Sequence, residues 1–171
     1  SLVGSRVERK EDKRFLTGKG RYTADINITN QTYAVFVRSP HARAKIKKVN
    51  FSKASKAPGV VSILTGADIV NDKIGGLIAG WKIVSEDGSD MKVPAHPPLA
   101  SDTVNYVGDH VAVVIAESLD EAKAAANLVE VDYKVLQAVT STADAMKSEK
   151  IYNDIDKNLC FDWLLGDRAK V

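Results

Sequence analysis

Two dense polar stretches near the start of this chain carry the residue types that do chemistry. The first is Arg9-x-Glu11-Asp12-x-Arg14-Phe15-x-x-Gly18-x-Gly20-x-Tyr22-x-x-Asp25, and the second is Arg38-Ser39-Pro40-His41-Ala42. Glu11 and Asp12 would serve as an acid and base pair only if their surroundings drove their pKa values apart. With Arg9 and Arg14 so near, ion pairs and charge-assisted hydrogen bonds that hold an irregular segment are the simpler expectation. Tyr22 and Asp25 suit a turn in which the carboxylate accepts backbone amides and the ring packs. Ser39 beside His41 suggests acyl transfer, yet no Gly-x-Ser-x-Gly elbow surrounds the serine. Arg38 is expected to reach a carboxylate or a carbonyl, with Pro40 ending the strand edge.

Other chemistries fare worse. His41, His96 and His110 have no metal-ligand spacing, and the single cysteine, Cys160, lies far from them in sequence. Gly18-Lys19-Gly20 lacks the spacing and the following Ser or Thr of a phosphate loop. Gly75, Gly76 and Gly80 lack the strand and capped helix of a dinucleotide site. The residues therefore name no catalytic, cofactor-binding or metal site. Arg9, Glu11, Asp12, Arg14, Tyr22, Asp25, Arg38, His41 and Trp163 are candidate structural or interface positions instead.

The elements that must position these residues can be read from periodicity. Thr32–Arg38 and Ala44–Phe51 alternate as strands, the second with Ile46 and Val49 inward. Residues 52–57 suit a helical turn before Pro58-Gly59, and Val60, Val61, Ile63 and Leu64 read as a short buried strand. Thr65 caps a brief helix with Asp68 near its positive end. Residues 71–98, rich in Gly, Ser, Asp and Pro, form a long excursion with a short strand near Trp81–Val84. Val104 and Tyr106, then Val111, Val113 and Ile115, suggest strands around a turn at Gly108-Asp109. Ser118 and Glu121 make a capping box, and Ala122, Ala125, Ala126 and Val129 give a narrow face suited to lying on a sheet. A strand through Val131 and Tyr133 and a short helix from Ser141 follow. The order is α+β, with mixed sheets and a few short helices. A domain over 1–146 is expected, with 147–171 an extended tail whose Tyr152, Phe161, Trp163 and Leu164 call for burial.

Composition bounds the rest. The chain has 171 residues, 44% of them hydrophobic, enough for a real core. Its 24 Lys and Arg against 22 Asp and Glu leave a net charge of +2, too balanced to argue for nucleic acid. Lys45 and Lys47, alternating with Ala44 and Ile46, fit the wet face of a strand. No apolar run reaches the roughly 20 residues that span a bilayer, and no secretory signal is evident, so a cytoplasmic location is expected. A chain that starts at Ser1 without Met is expected to be either an engineered expression segment or a piece cut from something longer.

The motifs together resemble a known family. They are Val3-Gly4, Arg9-x-Glu11-Asp12-x-Arg14, Thr17-Gly18-x-Gly20-x-Tyr22-x-x-Asp25-Ile26, Arg38-Ser39-Pro40-His41-Ala42, Pro58-Gly59-Val60 and Leu64-Thr65-Gly66-Ala67-Asp68. Pro98-Leu99-Ala100, Val107-Gly108-Asp109-x-Val111-Ala112, Ala116-Glu117-Ser118, Ala122, Val131-Asp132-Tyr133, Asn158 and Gly166-Asp167 continue the series. This set resembles the amino-terminal α/β-hammerhead domain of the large, molybdopterin-binding subunit of the xanthine dehydrogenase and aldehyde oxidase family, nearest the aerobic carbon-monoxide-dehydrogenase-like branch. His110 departs from the pattern, since the family usually has proline there, which puts the local turn geometry in question.

The resemblance implies a parent enzyme that hydroxylates its substrate (carbon monoxide, an aldehyde or an N-heterocycle), with oxygen drawn from water. It implies a molybdenum–molybdopterin cofactor in that parent, with FAD and iron-sulfur clusters on partner subunits or domains. The essential glutamate lies downstream in that family, and Cys160 does not sit in the active-site loop motif of the carbon-monoxide branch. No cofactor is expected in this chain, whose implied partners are the downstream molybdopterin-binding domains. A freestanding scaffold module reusing the fold is the alternative, and a small enzyme built on Glu11 or Asp12 ranks last.

Overall fold

The computed structural model describes residues 2–167 and 170. The chain divides into two compact units, residues 1–31 and 32–171.

The first unit holds α1 (Asp12–Leu16) and a 3-10 turn at Thr23–Asp25. Helix α1 is little more than one turn, so its ends dominate it. Thr17 closes the helix by donating its hydroxyl to the Lys13 carbonyl at 2.7 Å, and Gly18 at φ +69° then reverses the chain. None of the described residues of this unit is buried, as expected of about 30 residues too few to enclose a core.

The second unit contains, in chain order, β1 (Tyr33–Arg38), β2 (Ala44–Asn50), β3 (Val60–Thr65), α2 (Gly66–Asn71), β4 (Thr103–Val104), β5 (His110–Ala116), α3 (Leu119–Ala126), β6 (Glu130–Val135) and α4 (Thr142–Ala145). Two three-stranded sheets result, ordered β1-β5-β3 and β4-β2-β6, and every ladder is antiparallel. The α+β class and the short helices agree with the sequence reading.

β5, the central strand of its sheet, is buried along most of its length. Its central position buries both faces. Val111 joins Ala44, Ala100 and Val104 beneath Ile46, Val49, Val131 and Tyr133 of the second sheet, and Val113 packs with Ile69 and Leu99. Val104, Val111 and Val114 are completely enclosed, each worth about 1.5–3 kcal/mol of transfer free energy. Ala122 and Ala125 of α3 are likewise fully buried, where α3 lies on β1 and β5. Small side chains permit that close approach. Ser118 opens α3 by accepting from the Glu121 amide and donating to its carboxylate at 2.7 Å.

Three expectations change. β3 is an edge strand, not a buried one: Val61 is 59% exposed and Leu64 37% exposed. A run of apolar residues marks strand propensity without saying what covers each face. The segments near Val104 and Val111 do not pair with each other, because β4 joins β2 while β5 joins β1 and β3. The excursion holds no strand near Trp81, only an isolated bridge between Val84 and Asp90.

Candidate assembly site

Around the end of β1 the second polar stretch builds a buried hub. Ser39 and Asp109 are almost fully enclosed. The Ser39 amide donates to the Asp109 carbonyl at 2.8 Å, and the Gly108 amide donates back to the Ser39 carbonyl at 2.8 Å. Gly108, at φ +92°, supplies the left-handed turn that this reciprocal pair needs. Arg38 donates from Nη1 to the Gly108 carbonyl at 3.1 Å, which is the carbonyl option of the sequence reading. Its side chain is exposed.

The Ser39 hydroxyl bonds the backbone of His41, both its carbonyl and its amide, at 3.0 Å. The hydroxyl holds a local turn and also bonds the Tyr133 side chain, and the His41 and Tyr133 rings meet edge to face with centroids 5.0 Å apart. His110 stacks on Phe36 at 4.3 Å, and the turn before it survives the loss of proline, with the Asp109 amide bonding the Tyr106 carbonyl at 3.2 Å.

The Asp109 carboxylate accepts from the Asn105 amide at 3.0 Å, and Asn105 Nδ2 reaches the Tyr152 hydroxyl at 3.5 Å. Three tyrosines surround this hub. Burial raises the phenols of Tyr106, Tyr133 and Tyr152 above their ordinary pKa, and the Asp109 charge raises all three further.

Arg43 acts as a clamp. Its two terminal nitrogens donate to the carbonyls of Gln137 and Lys150, at 3.2 and 2.9 Å. Asn158 ties the same region from the other side. It takes φ +56°, donates from Nδ2 to the Ala145 and Glu149 carbonyls at 2.9 and 3.0 Å, and accepts the Ile151 amide at 2.8 Å. We expect Asn158→Ala to cost about 2–3 kcal/mol through the lost bonds and the left-handed backbone. Hydrogen exchange should accelerate at Ile151 while β5 stays protected, with Asn158→Gly milder because glycine tolerates the dihedral. Unchanged exchange at Ile151 in the alanine variant would contradict this role.

In the first unit the candidates form a small surface cluster. Arg9 pairs with Asp12 at 3.0 Å, both side chains exposed. Glu11 sits at the start of α1, and among the described residues neither it nor Arg14 forms an ion pair. Of the two pairs that Arg9, Glu11, Asp12 and Arg14 could form, only Arg9–Asp12 is present among the described residues. Arg14 instead lies over the Phe15 ring, 4.9 Å from its centre. Phe15 stacks on Tyr22 at 5.7 Å, and a side chain at Gly20 would press on the Phe15 ring. Asp25 accepts the Tyr22 amide at 2.8 Å, as the turn reading required.

Trp163 lies on the tail with Phe161, Leu164 and Leu165, all exposed. Of the tail residues for which sequence asked burial, Tyr152 is half-buried at the hub, whereas Phe161, Trp163 and Leu164 are left exposed among the described residues. Sequence reasoning did not single out Arg43 or Asn105, and it named Tyr152 only as a tail aromatic in need of burial. The Arg38–Ala42 stretch and the Gly108-Asp109 turn signal both pointed toward the hub.

Two cavities among the described residues bear on whether a molybdopterin-type cofactor would fit here. One of about 420 Å³ is lined by Glu86, Asp87 and Asp162 against a single Lys92, a poor match for a pterin bearing a phosphate. Another, of about 380 Å³, offers Arg43 and Lys45 beside Asp102. Two of the three Arg43 nitrogens already serve carbonyls, and the third, Nε, is fully buried. These residues do not fit a molybdopterin-type group. Among the described residues no group of three or more His, Cys, Asp or Glu could hold a metal ion, and no helix is long and apolar enough to cross a membrane.

Residues 17–137 match the family described as aldehyde oxidase and xanthine dehydrogenase, a/b hammerhead domain. The chain is 38% identical to the nicotine 6-hydroxylase large subunit of Paenarthrobacter nicotinovorans, covering 90% of this chain and 18% of that protein. It is 34% identical to the carbon monoxide dehydrogenase large chain of Afipia carboxidovorans, covering 97% and 21%. The structure superposes on quinoline 2-oxidoreductase from Pseudomonas putida with a TM-score of 0.75 and 36% identity, over 88% of this chain and 18% of that one. The chain thus spans about a fifth of the length of the relatives it matches. On these matches and this fold, the chain belongs to the aldehyde oxidase and xanthine dehydrogenase family, as its a/b hammerhead domain.

Proposed function

We propose that this chain is a non-catalytic assembly domain of a cytoplasmic molybdenum hydroxylase large subunit. The observation that carries this reading is the use of its polar residues. Ser39 holds the His41 backbone, Arg38 the Gly108 carbonyl, Arg43 two carbonyls and Asp12 an exposed arginine. These groups shape loops and strand ends, and the domain's contribution is a shaped surface for the rest of the subunit. Molybdenum chemistry, supplied by a molybdopterin-type cofactor, would reside in the downstream domains, with FAD and iron-sulfur groups on partner subunits or domains. The parent reaction is oxidative hydroxylation of carbon monoxide, an aldehyde or an N-heterocycle. The first unit, with its preformed Phe15–Tyr22 stack, and the tail around Trp163 are the contact regions.

Metal analysis tests the assignment. The isolated 171-residue chain should carry no stoichiometric molybdenum, and the native polypeptide containing it should. Molybdenum bound stoichiometrically to the isolated chain would overturn the non-catalytic reading. A stop codon after Val171, without a neighbouring gene for the missing domains, would favour a freestanding scaffold module.

A further inference from the structure

The two sheets, ordered β1-β5-β3 and β4-β2-β6, have four edge strands among the described residues, and three of them are guarded. β3 is interrupted by a register shift between Val60 and Ser62, β4 is two residues long, and β6 carries Glu130, Asp132 and Lys134 at alternate positions. Bulges, brevity and charge are what keep an edge from pairing with another chain. β1 has none of these over residues 33–37, an uncharged run in which only Ala34 is neither β-branched nor aromatic. Its one irregularity comes at the end, between Val37 and Arg38. Among the described residues, no backbone hydrogen bond reaches residues 34–38 from outside the β1–β5 ladder.

A cleft of about 390 Å³ runs along this edge. One wall is Val35, Phe36, Val37 and Arg38, and the other is Lys123, Ala126 and Asn127 at the α3 end. Side chains of consecutive strand residues point to opposite faces. Four in a row therefore share one cleft only through the strand's edge, where alternate amides and carbonyls are left unpaired. The helical wall is a single i, i+3, i+4 stripe. A strand edge open beside a helix can take an extended peptide by main-chain bonds and sort it by its side chains. Charge in the cleft has one sign, since Arg38 and Lys123 line it and no acidic residue does. Arg38 gives Nη1 to the Gly108 carbonyl, and Lys123 forms no ion pair among the described residues. The carboxylates of α3, Asp120 and Glu121, sit in its first turn, and Glu121 is held by Ser118.

We infer that β1 and α3 form a docking groove for an extended acidic segment of a separate polypeptide, which adds to the sheet as a strand beside β1 and turns carboxylates toward Arg38 and Lys123. Main-chain bonds along the edge supply affinity, and the two cations choose the partner. A second copy of β1 would bring another arginine and no carboxylate, so the charge of the cleft favours a different chain. Phe36, exposed and stacked on His110 at 4.3 Å, gives the occupant's apolar side chains an aromatic cross-strand neighbour.

Fluorescence anisotropy on the native polypeptide containing this chain tests the groove, with the fluorescein-labelled peptide EVTEVT as the probe. Its two glutamates fall on opposite faces of a strand, so that one can meet a cation on either wall. The acidic probe should bind about tenfold tighter than KVTKVT. Its affinity should fall severalfold in Lys123→Glu, a change at an exposed position. Only alternate amides of an added strand face its neighbour. N-methylation of one alternate set in the probe should therefore abolish binding, while methylation of the other set spares it. Hydrogen exchange across residues 33–38 should slow when the unmodified probe is added. A probe that does not bind overturns the inference, including one kept out because another part of the same subunit already fills the groove. Equal sensitivity to the two methylated sets, or unchanged exchange across 33–38, overturns strand addition at β1. Affinity that is the same for the basic peptide, or unaltered by Lys123→Glu, overturns the acidic partner.

Discussion

Gly66→Ala should be among the most damaging single-methyl changes in this domain. Gly66 opens α2 directly after its Thr65 cap, and its φ is ordinary, so the requirement is one of space. A Cβ built there would land on the carbonyl and carbon of Ala100 and on the Cα of Ser101. All three are backbone atoms, so no flexible side chain can swing aside. Thr65 and Ala100 are themselves buried, and Ile69, one turn along α2, packs with Leu99 and Val113. Relief of the clash must therefore part α2 from the 99–101 segment and open that cluster. Overpacking of this kind costs about 3 kcal/mol. In a chain of this length that corresponds to a melting point lower by about 6–12 °C. Gly80→Ala is the control, because nothing lies within 4 Å of its Cβ position and its φ is not positive. It should be neutral or stabilising by up to about 1 kcal/mol through the unfolded chain. Thermal unfolding of the two variants decides the matter, and equal melting points would refute the close-approach argument.

The Leu64-Thr65-Gly66-Ala67-Asp68 motif shows how far sequence carries. Its helix start was legible because a capping box is local: the Thr65 amide and hydroxyl both donate to Asp68 Oδ2, at 2.7 and 2.8 Å. The same locality made β1, β2, α3 and β6 readable, and the motif series named the family. The reason for the glycine was not readable, because its neighbour lies 34 positions away, at Ala100. Distance along the chain hides the other features too. Arg43 meets the Lys150 carbonyl across 107 positions, and Asn105 meets Tyr152 across 47. An alternating lysine strand looks like a wet face from sequence, and for Lys45 and Lys47 it is one. The arginine just before it was indistinguishable from them until the tail was seen to fold back. Charge proximity misled in the opposite direction, since Glu11 and Arg14 are neighbours in sequence without pairing on so short a helix.

Asp109 should prove the electrostatic centre of the hub, and two substitutions separate its roles. Asp109→Ala removes the acceptor of the Asn105 amide, leaving a part-buried donor unsatisfied at a cost of about 1–3 kcal/mol. Asp109→Asn preserves the shape and an oxygen acceptor while removing the charge, so its stability loss should be smaller. Its signature lies in the tyrosines. Burial is the leading cause of the raised pKa values of Tyr106, Tyr133 and Tyr152, and the Asp109 charge adds to each. Removing that charge should bring all three down toward the ordinary phenol value of about 10. A phenol whose folded pKa is raised contributes stability that is complete below the unfolded value and is lost as pH rises through the folded one. The wild-type domain should therefore lose stability progressively above about pH 10, and Asp109→Asn should lose less over the same window. Ultraviolet titration of phenolate absorbance, with chemical unfolding at alkaline pH, reads both effects. A titration curve that does not move toward lower pH in Asp109→Asn would show that the carboxylate matters only as a hydrogen-bond acceptor. The predicted combination, a modest stability change with a clear phenolate shift, is one that a purely packing role for Asp109 cannot produce.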